Sequence, residues 1–213
     1  RLGIQGKQAV LDFVQAADLI NIALGEDLGE DAVKNIGKLA DVFGDSHRLG
    51  LKQAMLSTAS TINELAQSSS ASEPYLMEFA SRLGGVGASA GMTQAQLLGI
   101  ASVMDQNKVN VEKGATAMQN ILNALFADTA KMAKGAGLDV QQFTALLKKD
   151  ANEALLTFLE ALNSKGGMDG IAPVLKELGM SGAGVTQTLT TLAARTDQLR
   201  STQEQAAAAF AAG

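Results

Sequence analysis

Residues 90–97 read Ala90-Gly91-Met92-Thr93-Gln94-Ala95-Gln96-Leu97, and this stretch decides the fold class. A glycine can take the left-handed backbone conformation that ends a helix. An apolar residue follows, and then Thr93, whose hydroxyl can accept from the free amides of a new helix. One helix stops and the next starts at once. The same order recurs as Gly137-Leu138-Asp139 and Gly179-Met180-Ser181. With Thr93, Asp139 and Ser181 as N-caps, Met92, Leu138 and Met180 precede the caps. Leu97, Phe143 and Val185 fall at the fourth helical position, so each junction has the apolar pair of a hydrophobic staple. Gln96 and Gln142 stand at the third position, which predicts two capping boxes. The glycines are 46 and 42 residues apart. A helical repeat could have that period, but little else matches between the intervals, so shared cap chemistry accounts for the pattern.

Apolar spacing between these marks is helical nearly throughout. Val10, Phe13, Val14, Ala17 and Leu24 mark a first helix, closed by Gly25. A second runs from about Leu28 to Phe43 and stops at Gly44. Leu51, Met55, Ala59, Ile62 and Leu65 mark a third, fading into Ser68-Ser69-Ser70. Ser72-Glu73-Pro74 opens a fourth, with Leu76, Phe79, Ala80 and Leu83. Later helices carry Leu97, Ile100, Ala101 and Met104; Met118, Ile121, Leu122 and Leu125; Phe143, Leu146 and Leu147; Leu155, Leu159 and Leu162; and Ile171, Val174, Leu175 and Leu178. Pro74 and Pro173 each read as lying near a helix start, where a missing N–H costs nothing. No segment alternates with period two. The expected fold is all-α: a compact array of short, glycine-punctuated helices with a longer C-terminal amphipathic helix. Residues 1–184 form the core module in this reading, and 185–213 form a heptad-patterned helix that continues in a longer parent chain. The chain opens with Arg1 rather than Met, which also reads as a piece of something longer.

Composition narrows the function classes. Of the 213 residues, 46% are apolar but only 4% aromatic, with no Trp and one Tyr. The core must therefore be aliphatic and rich in alanine, and a chain this long removes roughly 70% of its unfolded surface from water. A net charge of −5 argues against a nucleic-acid surface, which needs clustered Lys or Arg; Lys148-Lys149 is followed at once by Asp150. With no cysteine there is no disulfide, thiolate nucleophile or Cys-bound metal. The longest apolar run, Ala206 to Ala212, is far short of the roughly 20 residues of a membrane span.

Few side chains suit chemistry. His47 is the single histidine, so a two-histidine metal motif is excluded; it reads as an ordinary residue near a helix start. Glu26, Asp27, Glu30 and Asp31 suit the positive end of the second helix. Asp105-Gln106-Asn107 opens like a calcium loop, but Val109 and Thr116 occupy positions where oxygen ligands belong. Gly84, Gly85, Gly87 and Gly91 lack dinucleotide-fingerprint spacing and read as close helix contact. No catalytic, cofactor-binding or metal residue is assigned, and the chain is not expected to be an enzyme.

The last segment carries a different period. Val185, Leu192, Leu199 and Ala206 fall every seven residues, as do Leu189, Thr196, Gln203 and Phe210. Such a seam could join copies of the chain in a parallel coiled coil, or pack on the chain's own bundle. Packing on the bundle is the expectation up to Leu199. Beyond it, Gln203 and the alanines look too weak to hold a helix without a partner or a continuation.

Read in order, several segments resemble the core region of the phage tail tape measure protein family. They are Leu2-Gly3-Ile4, Leu24-Gly25-Glu26-Asp27-Leu28, Arg82-Leu83-Gly84-Gly85-Val86 and Ala90-Gly91-Met92, then Ala115-Thr116-Ala117, Asp150-Ala151-Asn152-Glu153-Ala154-Leu155 and Lys176-Glu177-Leu178-Gly179-Met180. The style is similar to members from Bacteroidetes phages or prophages. The resemblance implies a long helical protein packed in several copies inside the tail tube, whose length sets how many tube rings assemble. It implies other copies, tail tube proteins and tail assembly chaperones as partners. It places the protein in the virion tail, and in the host cytoplasm during assembly. It supplies no catalytic residue for this region. A module that must extend inside a tube is expected to have low stability for its size. The rival reading is a helical protein–protein interaction adaptor; a small all-α enzyme is the third.

Overall fold

A computed structural model describes residues 6–24 and 29–213. Among the described residues there are thirteen helices and no strand, as the period-3.6 patterning requires. Helices α1 (Lys7–Leu24) and α2 (Gly29–Val42) both pack on α4 (Leu51–Ser68). Between α2 and α4 lies α3 (Asp45–Leu49), a short helix that the periodicity did not separate because it is under two turns long.

Next come α5 (Glu73–Ser89), α6 (Gln94–Gln106) and α7 (Val111–Ala127), with α5 packed on both α6 and α7. Ser72 accepts from the Tyr75 amide and Pro74 stands in the first turn of α5, as expected. The second half holds α8 (Thr129–Ala136), α9 (Val140–Lys149), α10 (Ala151–Asn163) and α11 (Met168–Glu177). Phe143 of α9 meets Phe158 of α10 with ring centroids 6.5 Å apart. Pro173 is a correction: it lies inside α11, one turn beyond the position where its missing N–H is harmless.

The three glycine junctions share one backbone device. Gly91, Gly137 and Gly179 have φ of +86°, +78° and +74°. In each case the following apolar residue donates its N–H back five residues: Met92 to Gly87, Leu138 to Ala133 and Met180 to Leu175, at 3.0, 2.8 and 2.8 Å. These are Schellman closures. A fourth was hidden, because a lysine occupies the left-handed position. Lys108 has φ 59°, and Val109 donates to the Met104 carbonyl at 3.0 Å.

The helix starts after the junctions differ more. Thr93 accepts from the Gln96 amide and Gln96 returns to the Thr93 amide, a complete capping box. Asp139 caps α9 through the Gln142 amide at 2.8 Å, but the Gln142 side chain does not return, so the second box is half made. Ser181 is not a cap. The chain spends one more extended residue, and Gly182 (φ −56°, ψ 141°) precedes α12 (Ala183–Ala193). Gly182 accounts for the delay, because a glycine disfavours helix by about 1 kcal/mol and is accepted at a cap position.

The expected single helix over 185–213 is two. After α12 the chain turns at Ala194 and Arg195, and α13 (Thr196–Ala212) lies in a groove formed by α4 and α6. Beyond Leu199, Gln203 and Ala206 are both buried, so the weak half of the seam is held by the chain's own bundle. The 184/185 boundary falls within α12.

Candidate functional site

Most of the residues singled out in the sequence lie in the described part of the structure. His47 is exposed on α3. Asp31 is exposed in the first turn of α2, while the side chains of Glu26, Asp27 and Glu30 lie outside the described residues. Asp105 accepts from the Ser72 amide at 2.7 Å, which ties the end of α6 to the start of α5. A Cβ at Gly84 would sit 3.2 Å from Leu39 Cδ2, and one at Gly87 would sit 3.3 Å from Leu97 Cδ1. Those two glycines therefore serve close helix contact, as read. Among the described residues, no group of three His, Cys, Asp or Glu side chains could hold a metal ion. No helix there is long and apolar enough to cross a membrane.

A cleft of about 800 Å³ lies where α3, α4, α6 and α13 meet. Phe43, Leu49, Met92 and Phe210 supply its apolar wall. Asp45 supplies the polar one. Only 7% exposed, it accepts from Arg48 at 2.6 Å and from the Gln94 amide group at 2.7 Å. Gln94 in turn accepts from the Thr58 hydroxyl at 2.7 Å. The carboxylate is paired and hydrogen-bonded, as a buried charge must be. What this chain of contacts does is fix α3 and α4 against the start of α6. No short window of sequence contains these contacts, because Asp45, Thr58 and Gln94 are 13 and 36 residues apart.

A second concavity of about 740 Å³ lies between α5 and α7, lined by Arg82, Val86, Leu122 and Phe126 among others. Phe126 is 47% exposed. Helix α1 also shows solvent an apolar face made by Val10, Leu11, Val14 and Ile22, while its opposite face, with Ala16 and Ile20, is buried.

Helix α13 buries Leu199 and Ala206 in the core and is also fastened by polar groups. Arg200 donates to both Glu153 oxygens at 2.8 and 2.9 Å and to Glu160 at 2.6 Å. Glu153 and Glu160 are two turns apart on α10, so one guanidinium spans that face. The Arg200 hydrogen bonds hold the Glu153 carboxyl below the usual range, against a smaller opposing effect of burial. The buried Gln203 exchanges two hydrogen bonds with Asn152, both 2.9 Å, and donates to the Gln96 carbonyl at 3.0 Å. Gln205 reaches Glu64 and Ser68 of α4. The i, i+7 carboxylates of α10 were a readable signal for an ion clamp; their partner on α13 was not.

Among the described residues, the side chains that converge on α13 and on α3 do so as polar clamps between helices. The sequence profile of the phage-related minor tail proteins matches residues 1–167. The chain belongs to that family. A structural role in a phage tail, and a place in the virion tail, follow from it. The match ends at Gly167, the residue that precedes α11, so α1–α10 form the matched region and α13 packs back onto it. Neither a curated protein nor a solved structure matches the chain.

Proposed function

We propose that this tail protein is part of a tape measure protein, and that it helps set tail length and organise the tail tube without catalysis. The family match carries the reading, together with the ordered resemblance of segments along the chain. The fold supports it through its contour. Most described residues are already helical, and the elements meet at short junctions. Opening those junctions lengthens the molecule with little loss of backbone hydrogen bonding. Drawn out as one helix, 213 residues would span roughly 320 Å at 1.5 Å per residue. Other copies of the chain, tail tube proteins and tail assembly chaperones are the partners in this reading.

Tail length after in-frame deletion of these residues from the parent gene tests it. Tails shortened by about that span mean that the segment contributes to the ruler. Absent tails mean that it acts in assembly. Infectious phage with unchanged tails would sink the proposal. A module that extends should also unfold readily, and a guanidinium midpoint above about 5 M would count against extension. The groove at Phe126 favours a second reading as a helical protein–protein adaptor, which predicts unchanged tail length and a stable complex with one partner.

A further inference from the structure

We infer that α12 and α13 form a two-state element: docked as two helices in this fold, and on release a single helix that pairs along its seam with a second copy of the chain. The first observation is the break itself. Helix interruptions have identifiable causes such as proline, glycine or an inserted side chain. Here the sequence is Leu192-Ala193-Ala194-Arg195-Thr196, composed mostly of good helix formers. Ala194 keeps helical dihedrals (φ −77°, ψ −8°), and Arg195 alone departs, at φ −123° and ψ 25°. No side chain caps α13. The Thr190 hydroxyl is buried without a hydrogen-bond partner. Docking imposes the bend, since α12 is held by α7, α10 and α11 while α13 is held by α4 and α6.

The second observation is the seam. Val185, Leu189, Leu192, Thr196, Leu199, Gln203, Ala206 and Phe210 keep heptad spacing straight through the bend, although two separately docked helices have no need of a common register. Straightened, residues 183–212 make a helix of about 45 Å with one heptad stripe, apolar except at Thr196 and Gln203, the form that pairs in a coiled coil. In the docked state Leu189, Leu192, Leu199, Gln203 and Ala206 are buried inside the chain. The two uses of the seam exclude each other. A second copy is the fitting occupant because a heptad stripe is complementary to itself.

The third observation is the fastening. Arg200, Gln203 and Gln205 supply much of the grip on α10, α6 and α4. Two of these contacts work against or beside the coiled coil. Gln203 is a polar interruption of the stripe, useful only where Asn152 and the Gln96 carbonyl meet it. Arg200 lies off the stripe. Replacing both residues therefore separates the states.

The test uses the whole chain in R200A/Q203L, followed by sedimentation equilibrium and circular dichroism. The expected result is retained helicity and self-association at least ~10-fold tighter than in the parent chain, the factor that follows from one polar-to-apolar exchange on the buried seam. Adding Thr196→Pro supplies the control. Thr196 is the first residue of α13, where a helix has no carbonyl of its own for the N–H that proline removes, whereas proline interrupts the interior of the straight helix. The triple variant should return to the parent's mass. Spin labels on cysteines at the exposed positions Gln187 and Ala208 should read about 32 Å in the double variant, the length of 21 helical residues, and less in the parent. Lost helicity, unchanged mass, or association that survives Thr196→Pro would each overturn the inference. None of these outcomes depends on tail length, so the tape measure proposal can fail while this one stands.

Discussion

Lys108 offers a sharp test of the junction chemistry, because the same closure is built once on lysine and three times on glycine. At φ 59° the Lys108 backbone is left-handed, which costs a residue with a Cβ about 1–2 kcal/mol. Its side chain is exposed, so Lys108→Gly removes little packing. The glycine also frees the unfolded chain, which opposes the gain by about 0.4–1 kcal/mol. The net expectation is stabilisation by about 0.5–1 kcal/mol, or a rise in Tm of roughly 1–4 °C for a chain of this length. Gly91→Ala is the mirror experiment. Nothing lies within 4 Å of an added Cβ, and φ is +86°, so backbone strain alone acts and stability should fall by about 1 kcal/mol. Guanidinium unfolding followed by circular dichroism measures both. A destabilised Lys108→Gly, or a neutral Gly91→Ala, would show that the left-handed residue does not control these junctions.

The caps predict a graded series: Thr93→Ala and Asp139→Ala should each cost about 1 kcal/mol, whereas Ser181→Ala should stay within about 0.5 kcal/mol because Gly182 precedes α12. Thermal unfolding of the three variants checks the order. The Arg200 clamp predicts a pH effect. Glu153 has a lowered folded-state pKa, so its contribution is present above the unfolded carboxylate value near 4.5 and is lost as pH falls through the folded value. With Arg200, Glu153 and Glu160 at 35, 38 and 45% side-chain exposure, the contribution should stay below about 1 kcal/mol. The difference in stability between the parent and Glu153→Gln should shrink below pH 4.5. Gly99→Ala should wedge α13 away from α6, since the new Cβ would lie 2.8 Å from Gln203 Cγ and 3.1 Å from its Cα. A loss of about 1–3 kcal/mol is expected by denaturation.

The helices were legible where a local device marks them. Thr93 with Gln96, Ser72 with Pro74, and the three glycine closures all act within five residues, so their chemistry is visible in a short window. The fourth closure was not, because lysine at 108 carries the same dihedrals against its own preference. Ser181 misled for a related reason. A serine in the right place caps only if the next residue enters the helix, and Gly182 stays outside it. The absence of a catalytic residue is an expectation that rests on one histidine and no cysteine.

Gln203 shows why the C-terminal segment could not be read from its own sequence. As a seam position it looks like a defect, because an amide in an apolar stripe must find partners or leave the core. Its partners are Asn152, 51 residues away, and the carbonyl of Gln96, 107 residues away. No window on α13 contains either. Room for the glutamine comes from a further residue, Gly99, whose missing side chain lets the Gln203 backbone approach α6. Four residues on three helices must agree before the docked position is favourable, and each alone reads as neutral or unfavourable. The heptad register, by contrast, is complete within residues 185–210. Local sequence therefore specifies the straight helix, and tertiary structure specifies the bent one. That conflict between levels is what a segment with two working arrangements requires.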